Sequence, residues 1–457
     1  MTLIKSISGI RGTIGGKPGE ALTPMDIVSI SSAFGVWLKK SGGNKKIIIG
    51  RDARISGEMV NQLVVGALLS VGIDVIDLGL ATTPSVEMAV TDYNAGGGII
   101  ITASHNPKNW NALKLLNRQG EFISDQDGKD LLNMVESQEY TFNEVDDLGT
   151  YSKEDYLDKH IEHILNLPLV NVKQIEQAGF SVAVDAVNSV GGIAIPKLLK
   201  ALGVKTIKEI NCTPDGEFAH NPEPLPENIN EICSLVKNTQ LDLGIIVDPD
   251  VDRLALVCEN GEPFGEEYTL VSVADYILEN SKGSLVANLS STMALKDIAQ
   301  KHGVGYFESA VGEVNVVKEM KEQKAAIGGE GNGGIIYPEL HYGRDALAGV
   351  ALFLTHLANS KKSSSELRAQ YADYKMVKHK LELEDNIDLD IILDGVRKKY
   401  AKYPCNCIDG VKINFPTGWV HLRKSNTEPI IRIYAEAETE HEAQILIVNI
   451  SNIVKPE

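Results

Sequence analysis

Gly96-Gly97-Gly98-Ile99-Ile100-Ile101-Thr102-Ala103-Ser104-His105-Asn106-Pro107 is the stretch that decides how this chain is read. An apolar run without polar alternation predicts a strand buried on both faces. It ends abruptly in a hydroxyl, an imidazole and an amide. Pro107 has no amide hydrogen and bars a further regular ladder. Ser104 is thereby placed on a loop at the carboxyl end of a buried strand, where open α/β sheets bind their ligands. A serine there can be a nucleophile, a phosphate carrier or a plain turn residue.

Working outward, similar apolar runs recur at Lys45–Gly50, Phe180–Asp185, Leu241–Val247 and Ser284–Leu289, separated by helix-like stretches. This alternation predicts α/β units over about the first 370 residues. Thr23-Pro24-Met25-Asp26 predicts a helix start, with a capping threonine, an early proline and an acid three residues on. Asn143–Asp155 and Ser360–Leu367 read as polar linkers. Beyond about residue 375 the runs Val411–Phe415, Trp419–Arg423 and Ile430–Tyr434 alternate and are split by turn signals, which predicts a small antiparallel α+β domain.

Composition narrows the function. The 457 residues are 43% hydrophobic and 23% charged, as in ordinary globular cores. No segment is long and apolar enough for a membrane span, and the N-terminus lacks the apolar core of a secretory signal. A net charge of −18 disfavours nucleic acid, whose binding rests on phosphate neutralisation. An anionic substrate then needs local cationic pockets, because the overall field repels it. The five cysteines (Cys212, Cys233, Cys258, Cys405 and Cys407) are scattered without zinc spacing, so they read as plain thiols in a reducing, cytoplasmic setting.

Three further elements carry chemistry. Asp248-Pro249-Asp250-Val251-Asp252-Arg253 places carboxylates at alternate positions, which share one side of an extended segment. Like charges at such spacing repel by about 4 kcal/mol at an effective dielectric near 20. They call for a cation, and a small set of hard oxygen ligands suits Mg²⁺. The apolar Leu254–Val257 that follows, without the expected glycine, disfavours an EF-hand. Arg423-Lys424-Ser425-Asn426-Thr427-Glu428-Pro429 and Arg432 combine guanidiniums, hydroxyls and loop amides, a set suited either to a phosphate dianion or to an ordinary polar hairpin. Gly328-Gly329-Glu330-Gly331-Asn332-Gly333-Gly334 lacks the lysine and hydroxyl of a P-loop. Its Glu330 and Asn332 could hydrogen-bond sugar hydroxyls. No GxSxG elbow surrounds Ser104, which disfavours a Ser-His-Asp hydrolase.

Together and in this order, TASHNP, DPDVDR, GEGNGG and RKSNTEPIIR resemble the serine, metal, sugar and phosphate loops of the α-D-phosphohexomutases. Gly9-Ile10-Arg11-Gly12, Gly50-Arg51-Asp52-Ala53-Arg54, Asn111-Ala112-Leu113-Lys114 and Val311-Gly312-Glu313 add to the likeness, which spans essentially the whole chain. The resemblance implies three related α/β domains with mixed sheets (1–150, 151–257 and 258–370) and a C-terminal α+β domain (371–457), meeting at a central cleft. It implies that Ser104 carries a phosphoryl group, with Ser104, Asp248, Asp250 and Asp252 around Mg²⁺. Arg11, Lys114 and Arg253 stand near the reacting oxygens, with Lys114 as the proton-transfer candidate, and His105 is counted with them. Glu330 and Asn332 would meet the sugar, while Arg423, Ser425, Asn426, Thr427 and Arg432 would grip its second phosphate.

The implied reaction interconverts a hexose 6-phosphate and 1-phosphate through a sugar 1,6-bisphosphate, which also primes the enzyme. The sugar loop departs from the usual GExSGH, because Asn332 and Gly334 replace its serine and histidine; His341 is a candidate for the missing imidazole. This variant most resembles the phosphoglucosamine branch. Phosphomannomutase or phosphoglucomutase activity, and a Mg²⁺-dependent sugar-phosphate phosphatase, are the alternatives. The partner implied is a hexose phosphate, without nucleic acid or membrane, and a homodimer is the assembly entertained.

Overall fold

The computed structural model describes residues 3–6, 9–382, 389–424 and 430–454. The opening stretch forms β5 (Gly97–Ile101), buried at every position. It lies inside a seven-stranded sheet of order β1-β2-β6-β5-β3-β4-β7. The other members are β1 (Leu3–Ser6), β2 (Gly9–Thr13), β3 (Lys46–Arg51), β4 (Asp74–Leu80), β6 (Trp110–Leu116) and β7 (Tyr151–Lys153). Strands β5, β3, β4 and β7 pair in parallel, whereas β1, β2 and β6 join antiparallel, so the sheet is mixed. Side chains two apart in a strand share a face. Ile47 and Ile49 of β3, and Ile99 and Ile101 of β5, accordingly pack in one core with Phe34 of α1 (Pro24–Lys40) and Val60, Val64 and Leu68 of α2 (Gly57–Ser70). Helix α1 starts as its sequence predicts, with Pro24 in the first turn and the Thr23 amide donating to Asp26 Oδ2 at 3.1 Å.

The expected linker 143–155 is corrected in part, because it contains β7. All three of its side chains are exposed, so no hydrophobic pattern marked it. Backbone pairing of Val75 with Tyr151 and of Asp77 with Lys153 makes it the sheet edge.

A second sheet of order β11-β10-β8-β9 is built from β8 (Ser181–Asp185), β9 (Thr206–Ile210), β10 (Leu243–Val247) and β11 (Leu254–Cys258). Strands β10, β8 and β9 are parallel, and β11 returns antiparallel to β10. The aspartate motif is therefore the connection of a β10–β11 hairpin. Downstream, the helix Ala346–Ser360 is capped by Asp345, whose Oδ1 accepts from the amides of Leu347 (2.8 Å) and Ala348 (3.1 Å).

The second expected linker, from Ser360, is also more ordered than its composition suggested. Glu259 accepts from Ser364 Oγ at 2.7 Å and from the Ser365 amide at 2.9 Å. Burial opposes ionisation of Glu259, but the hydrogen bonds from Ser365 and Ser364 outweigh it and hold the carboxyl at about 2. A carboxyl depressed in the folded state stabilises above its unfolded value, and that contribution is lost as pH falls through its folded value. Between pH 4.5 and about 2, Glu259→Gln is therefore expected to lose stability less steeply than the natural chain. Urea midpoints measured across that window check this, and parallel slopes would count against it.

The chain forms two compact units, Met1–Thr269 with Asn332–Ser365 and Leu270–Gly331 with Glu366–Glu457. In the second unit, β12 (Ser284–Asn288) pairs in parallel with β13 (Tyr306–Ser309) and β14 (Ala325–Glu330). The short strand β15 (Gly334–Ile336) belongs to the first unit. The C-terminal region is a five-stranded antiparallel sheet of order β16-β20-β19-β18-β17. Its strands are β16 (Lys375–Glu382), β17 (Cys405–Asn406), β18 (Val411–Phe415), β19 (Gly418–Lys424) and β20 (Ile430–Ala437). Ile413, Val420, Leu422, Ile431 and Ile433 form its core with Ala443, Ile447 and Ile450 of the helix Glu440–Val454. The architecture is thus α/β with mixed sheets, followed by an antiparallel α+β region. No described helix is long and apolar enough to cross a membrane.

Candidate active site

The serine loop is held by a knot of buried polar groups. Ser104 has φ 48°, in the left-handed region that a non-glycine residue enters at a cost. Its amide donates to Thr102 Oγ1 at 2.9 Å, and the Thr102 hydroxyl donates to Asp52 Oδ2 at 2.6 Å. Arg54, only 1% exposed, donates from Nε to the same Asp52 oxygen at 3.0 Å. Its guanidinium also donates to the carbonyls of Asn106 (2.7 Å), Pro107 (2.7 Å), Trp110 (3.1 Å) and Ser104. One planar fork thus reads four backbone carbonyls, which a lysine could not do. Burial pushes the Asp52 carboxyl up, and Arg54 opposes it.

The aspartates meet by a turn, which corrects the extended segment expected from sequence. The Val251 amide donates to the Asp248 carbonyl at 3.1 Å, and the amides of Asp252 (3.2 Å) and Arg253 (3.1 Å) donate to Asp248 Oδ1. Val251 takes φ 64°, a genuine outlier for a β-branched residue. The physical reason is the hairpin, since β10 must reverse into β11 within six residues. All three carboxylates are fully buried, and each has an oxygen within 4.8 Å of the others'.

The surrounding groups sort the three aspartates. Ser104 Oγ donates to Asp248 Oδ2 at 2.9 Å. Burial, then Asp252 and Asp250, push the Asp248 carboxyl well above the usual range. Asp250 Oδ2 accepts from Lys114 Nζ at 2.7 Å and from Thr83 Oγ1 at 2.6 Å. Burial would raise Asp250, but Lys114 outweighs it and holds the carboxyl below its ordinary value. Asp252 Oδ2 accepts from Arg344 at 2.7 Å and from Lys114 at 3.3 Å. Burial alone would lower Lys114; Asp250 and Asp252 reverse this and keep it a firmly protonated ammonium.

Asp250 Oδ1 and Asp252 Oδ1 are left buried with no hydrogen-bond partner. An orphaned carboxylate oxygen in a buried site is costly. Two of them beside Asp248 and Ser104 Oγ form a hard-oxygen donor set that fits a small divalent cation.

The other candidates of this unit gather around the same loops. Arg11 donates to Asn106 Oδ1 at 3.2 Å, and burial together with Arg253 lowers its pKa. Arg253 donates to Glu223 at 3.2 Å, with its Nε 4.0 Å from Asp252 Oδ1. His105 Nδ1 lies 3.4 Å from Ser104 Oγ. Lost hydration, then Arg253 and Arg11, push His105 well below its usual value, so the ring is neutral. Asn332 Oδ1 accepts from the Gly334 amide at 3.2 Å, and the Gly333 carbonyl accepts from the Leu254 amide at 3.0 Å. Gly333 has φ +83°, and a β-carbon there would stand 2.3 Å from the Leu254 carbonyl oxygen, so only glycine fits. His341 is bound elsewhere, with Nδ1 3.4 Å from Glu87 and Nε2 3.3 Å from Asp345.

In the second unit, Glu330 ends β14, and its Oε1 accepts from Asn288 Nδ2 at 2.9 Å and from the Gly312 amide at 3.1 Å. Arg423 and Arg432 face each other across β19 and β20. Like charges directly opposite on a strand pair are unfavourable unless an anion joins them. Arg423 Nε is buried without a partner. Ser425, Asn426 and Thr427 lie outside the described residues.

Four residues were not predicted for this site: Thr83, Thr102, Arg54 and Arg344. Arg54 and Thr102 stood within quoted motifs, Gly50–Arg54 and TASHNP, without being singled out. Thr83 and Arg344 reach Asp250 and Asp252 across 167 and 92 residues.

A serine donating to a buried carboxylate triad with unpartnered oxygens fits the class of phosphoryl-transfer proteins on an α/β frame. Sequence profiles of the phosphoglucomutase/phosphomannomutase family match the chain in order, with α/β/α domain I at 3–141, domain II at 158–261, domain III at 265–374 and the C-terminal domain at 377–452. The chain belongs to this family of α-D-phosphohexomutases, and it is an isomerase with phosphohexomutase activity. It is 38% identical to a phosphoglucomutase/phosphomannomutase of Thermococcus kodakarensis, over 95% of each chain. It is 34% identical to a phosphoglucosamine/phosphogalactosamine mutase of Sulfurisphaera tokodaii, over 98% of each. A crystal structure of a family protein from Burkholderia thailandensis superposes with a TM-score of 0.86 at 25% identity, covering 99% of this chain and 97% of the other.

Proposed function

We propose that this phosphohexomutase interconverts glucosamine 6-phosphate and glucosamine 1-phosphate through a phosphorylated Ser104 and a glucosamine 1,6-bisphosphate, which also serves as primer. The observation that carries the phosphoserine is the 2.9 Å contact of Ser104 Oγ with a triad that still offers two unpartnered oxygens. With it goes the division into domains at about residues 150, 257 and 370.

In the first half-reaction the bond from Ser104 Oγ to phosphorus breaks as a bond from a sugar hydroxyl oxygen to phosphorus forms. Arg54, Thr102 and Asp52 hold the serine loop in its left-handed turn, so little reorganisation is left for the chemical step. Lys114 Nζ is the proposed proton-transfer group, and Arg11 and Arg253 supply positive charge beside the transferring phosphoryl. The neutral His105 adds no charge to the serine. Bound by Asp248, Asp250, Asp252 and a phosphoserine oxygen, Mg²⁺ would offset charge and act as a Lewis acid on the phosphoryl group. Arg423 and Arg432, with Ser425, Asn426 and Thr427, grip the phosphate that does not react. Glu330 and Asn332 meet the sugar. The bisphosphate then presents its other phosphate to Ser104, and the steps run in reverse.

The choice of a hexosamine is supported by the GEGNGG loop and by the name of the Sulfurisphaera relative. The Thermococcus relative, named for glucose and mannose phosphates, favours a second reading with those sugars. Comparing kcat/KM for glucosamine, glucose and mannose 6-phosphates separates the two. The hexosamine phosphate is expected to lead by at least about tenfold, the scale of one net hydrogen bond. A lead for glucose or mannose overturns the choice of sugar, and stoichiometric release of inorganic phosphate overturns the mutase in favour of a phosphatase.

A further inference from the structure

One pair of groups, joined to the sugar-loop carboxylate through a turn and its hydrogen bonds, has no part in the proposed reaction. Cys405 and Cys407 are both exposed, and their Sγ atoms lie 3.3 Å apart. Alternate residues of an extended strand project to one side. Cys405 opens β17, the edge strand, which among the described residues pairs with β18 alone. The remaining thiols differ from this pair, since Cys258 is buried and Cys212 and Cys233 are half-buried.

The turn after this pair is wired to Glu330. Asn406, between the two cysteines, accepts at Oδ1 from the Ile408 amide at 3.2 Å. Asp409, two residues beyond Cys407, accepts at Oδ2 from the Val311 amide at 3.0 Å. The next amide, that of Gly312, donates to Glu330 Oε1 at 3.1 Å. The Asp409 carbonyl also accepts from His421 Nε2 at 2.7 Å, and His421 Nδ1 meets Ser290 Oγ at 2.9 Å. Burial pushes His421 down to about 4, so the ring is neutral, and its single N–H, on Nε2, donates to the Asp409 carbonyl.

We propose that Cys405 and Cys407 are a redox-active dithiol, closed by exchange with a low-molecular-weight disulfide such as glutathione disulfide, and that closure displaces the Asp409 turn and weakens sugar binding at Glu330. The second clause rests on the function proposed above; the first does not. In the exchange, the Cys407 thiolate attacks one sulfur of the small disulfide and expels a thiolate. The Cys405 thiolate then attacks Cys407 Sγ, expels the second small thiolate and completes the bond. The two cysteine protons pass to the two released thiolates, so two thiols are oxidised and one small disulfide is reduced. Cys407 follows the paired strand and is taken as the attacking sulfur, while burial and Cys407 push the Cys405 thiol up, which suits the resolving role. The sulfurs must approach from 3.3 Å to a bond of about 2.05 Å. The short strand and the turn at Asp409 must move to allow that. A ring of this size on an exposed edge belongs to the strained, labile class of disulfides, which suits a reversible switch.

The test uses the full-length enzyme, reduced and then incubated with glutathione disulfide. Trypsin releases residues 403–412 as one peptide holding both cysteines. The expected result is loss of two hydrogen atoms from that peptide, a fall from five titratable thiols to three, and reversal by dithiothreitol. KM for glucosamine 6-phosphate is expected to rise at least about fivefold on oxidation, with a smaller change in kcat. Cys407→Ser should show neither change while keeping the KM of the reduced enzyme. Persistent single glutathione adducts without the two-hydrogen loss overturn the dithiol. An unchanged KM in the fully closed enzyme overturns the coupling to Glu330. If the reduced enzyme turns over no hexosamine phosphate, the substrate reading fails, and the peptide mass alone upholds or overturns the dithiol.

Discussion

Ser104→Ala is expected to lower kcat for hexose-phosphate isomerisation by at least about 10⁴-fold, the scale of losing a group that carries the transferred moiety. Lys114, the three aspartates and the Arg54 knot all remain in this variant, so binding charge is preserved and the covalent step is removed. Intact mass should show a phosphate adduct on the natural chain after priming with a 1,6-bisphosphate, and none on the variant. Ser104 contributes one side-chain hydrogen bond to Asp248, so its removal should cost no more than about 1–2 kcal/mol of stability. Activity and fold are therefore separable in this variant. Full turnover in Ser104→Ala would end the phosphoserine mechanism.

Lys114→Met carries the second large effect, on stability as well as on rate. Lys114 is 6% exposed and bridges Asp250 and Asp252, whose other oxygens have no partner. Removing one member of a buried ion pair leaves an uncompensated charge and typically costs about 3–5 kcal/mol. The urea midpoint should fall accordingly in chelator. Millimolar Mg²⁺ should restore part of the loss, because an ion that binds only the folded state stabilises it by mass action. Turnover should drop by about 10²–10⁴-fold, as for the loss of a positioned proton-transfer group. A midpoint that neither falls in chelator nor responds to Mg²⁺ would show that the triad is not held as described.

Much of this was legible in the residues themselves. Continuous apolar runs such as Gly97–Ile101 and Leu243–Val247 announce strands buried on both faces, because only a strand flanked by others and covered on both sides tolerates them. Their sudden polar ends mark the carboxyl edges where loops carry chemistry. The aspartate spacing announced a cation site in the same way. Other features could not be read. The strand β7 has no side-chain pattern, since backbone pairing alone makes it part of the sheet. The aspartates were expected to line one side of an extended segment. They converge instead because a hairpin reversal forces Val251 into the left-handed region.

Local chemistry, then, settled which residue types were available. A serine follows one buried strand and three carboxylates follow another, and two arginines flank a third loop. Tertiary structure alone decided the pairings: Ser104 with Asp248 across 144 residues, Lys114 with Asp250 across 136, and Arg344 with Asp252 across 92. Sequence spacing constrains such contacts only within a helix or a strand pair. Between sheets, direction is set by how the strand ends are packed, and that packing brings Ser104 Oγ to 2.9 Å from Asp248 Oδ2.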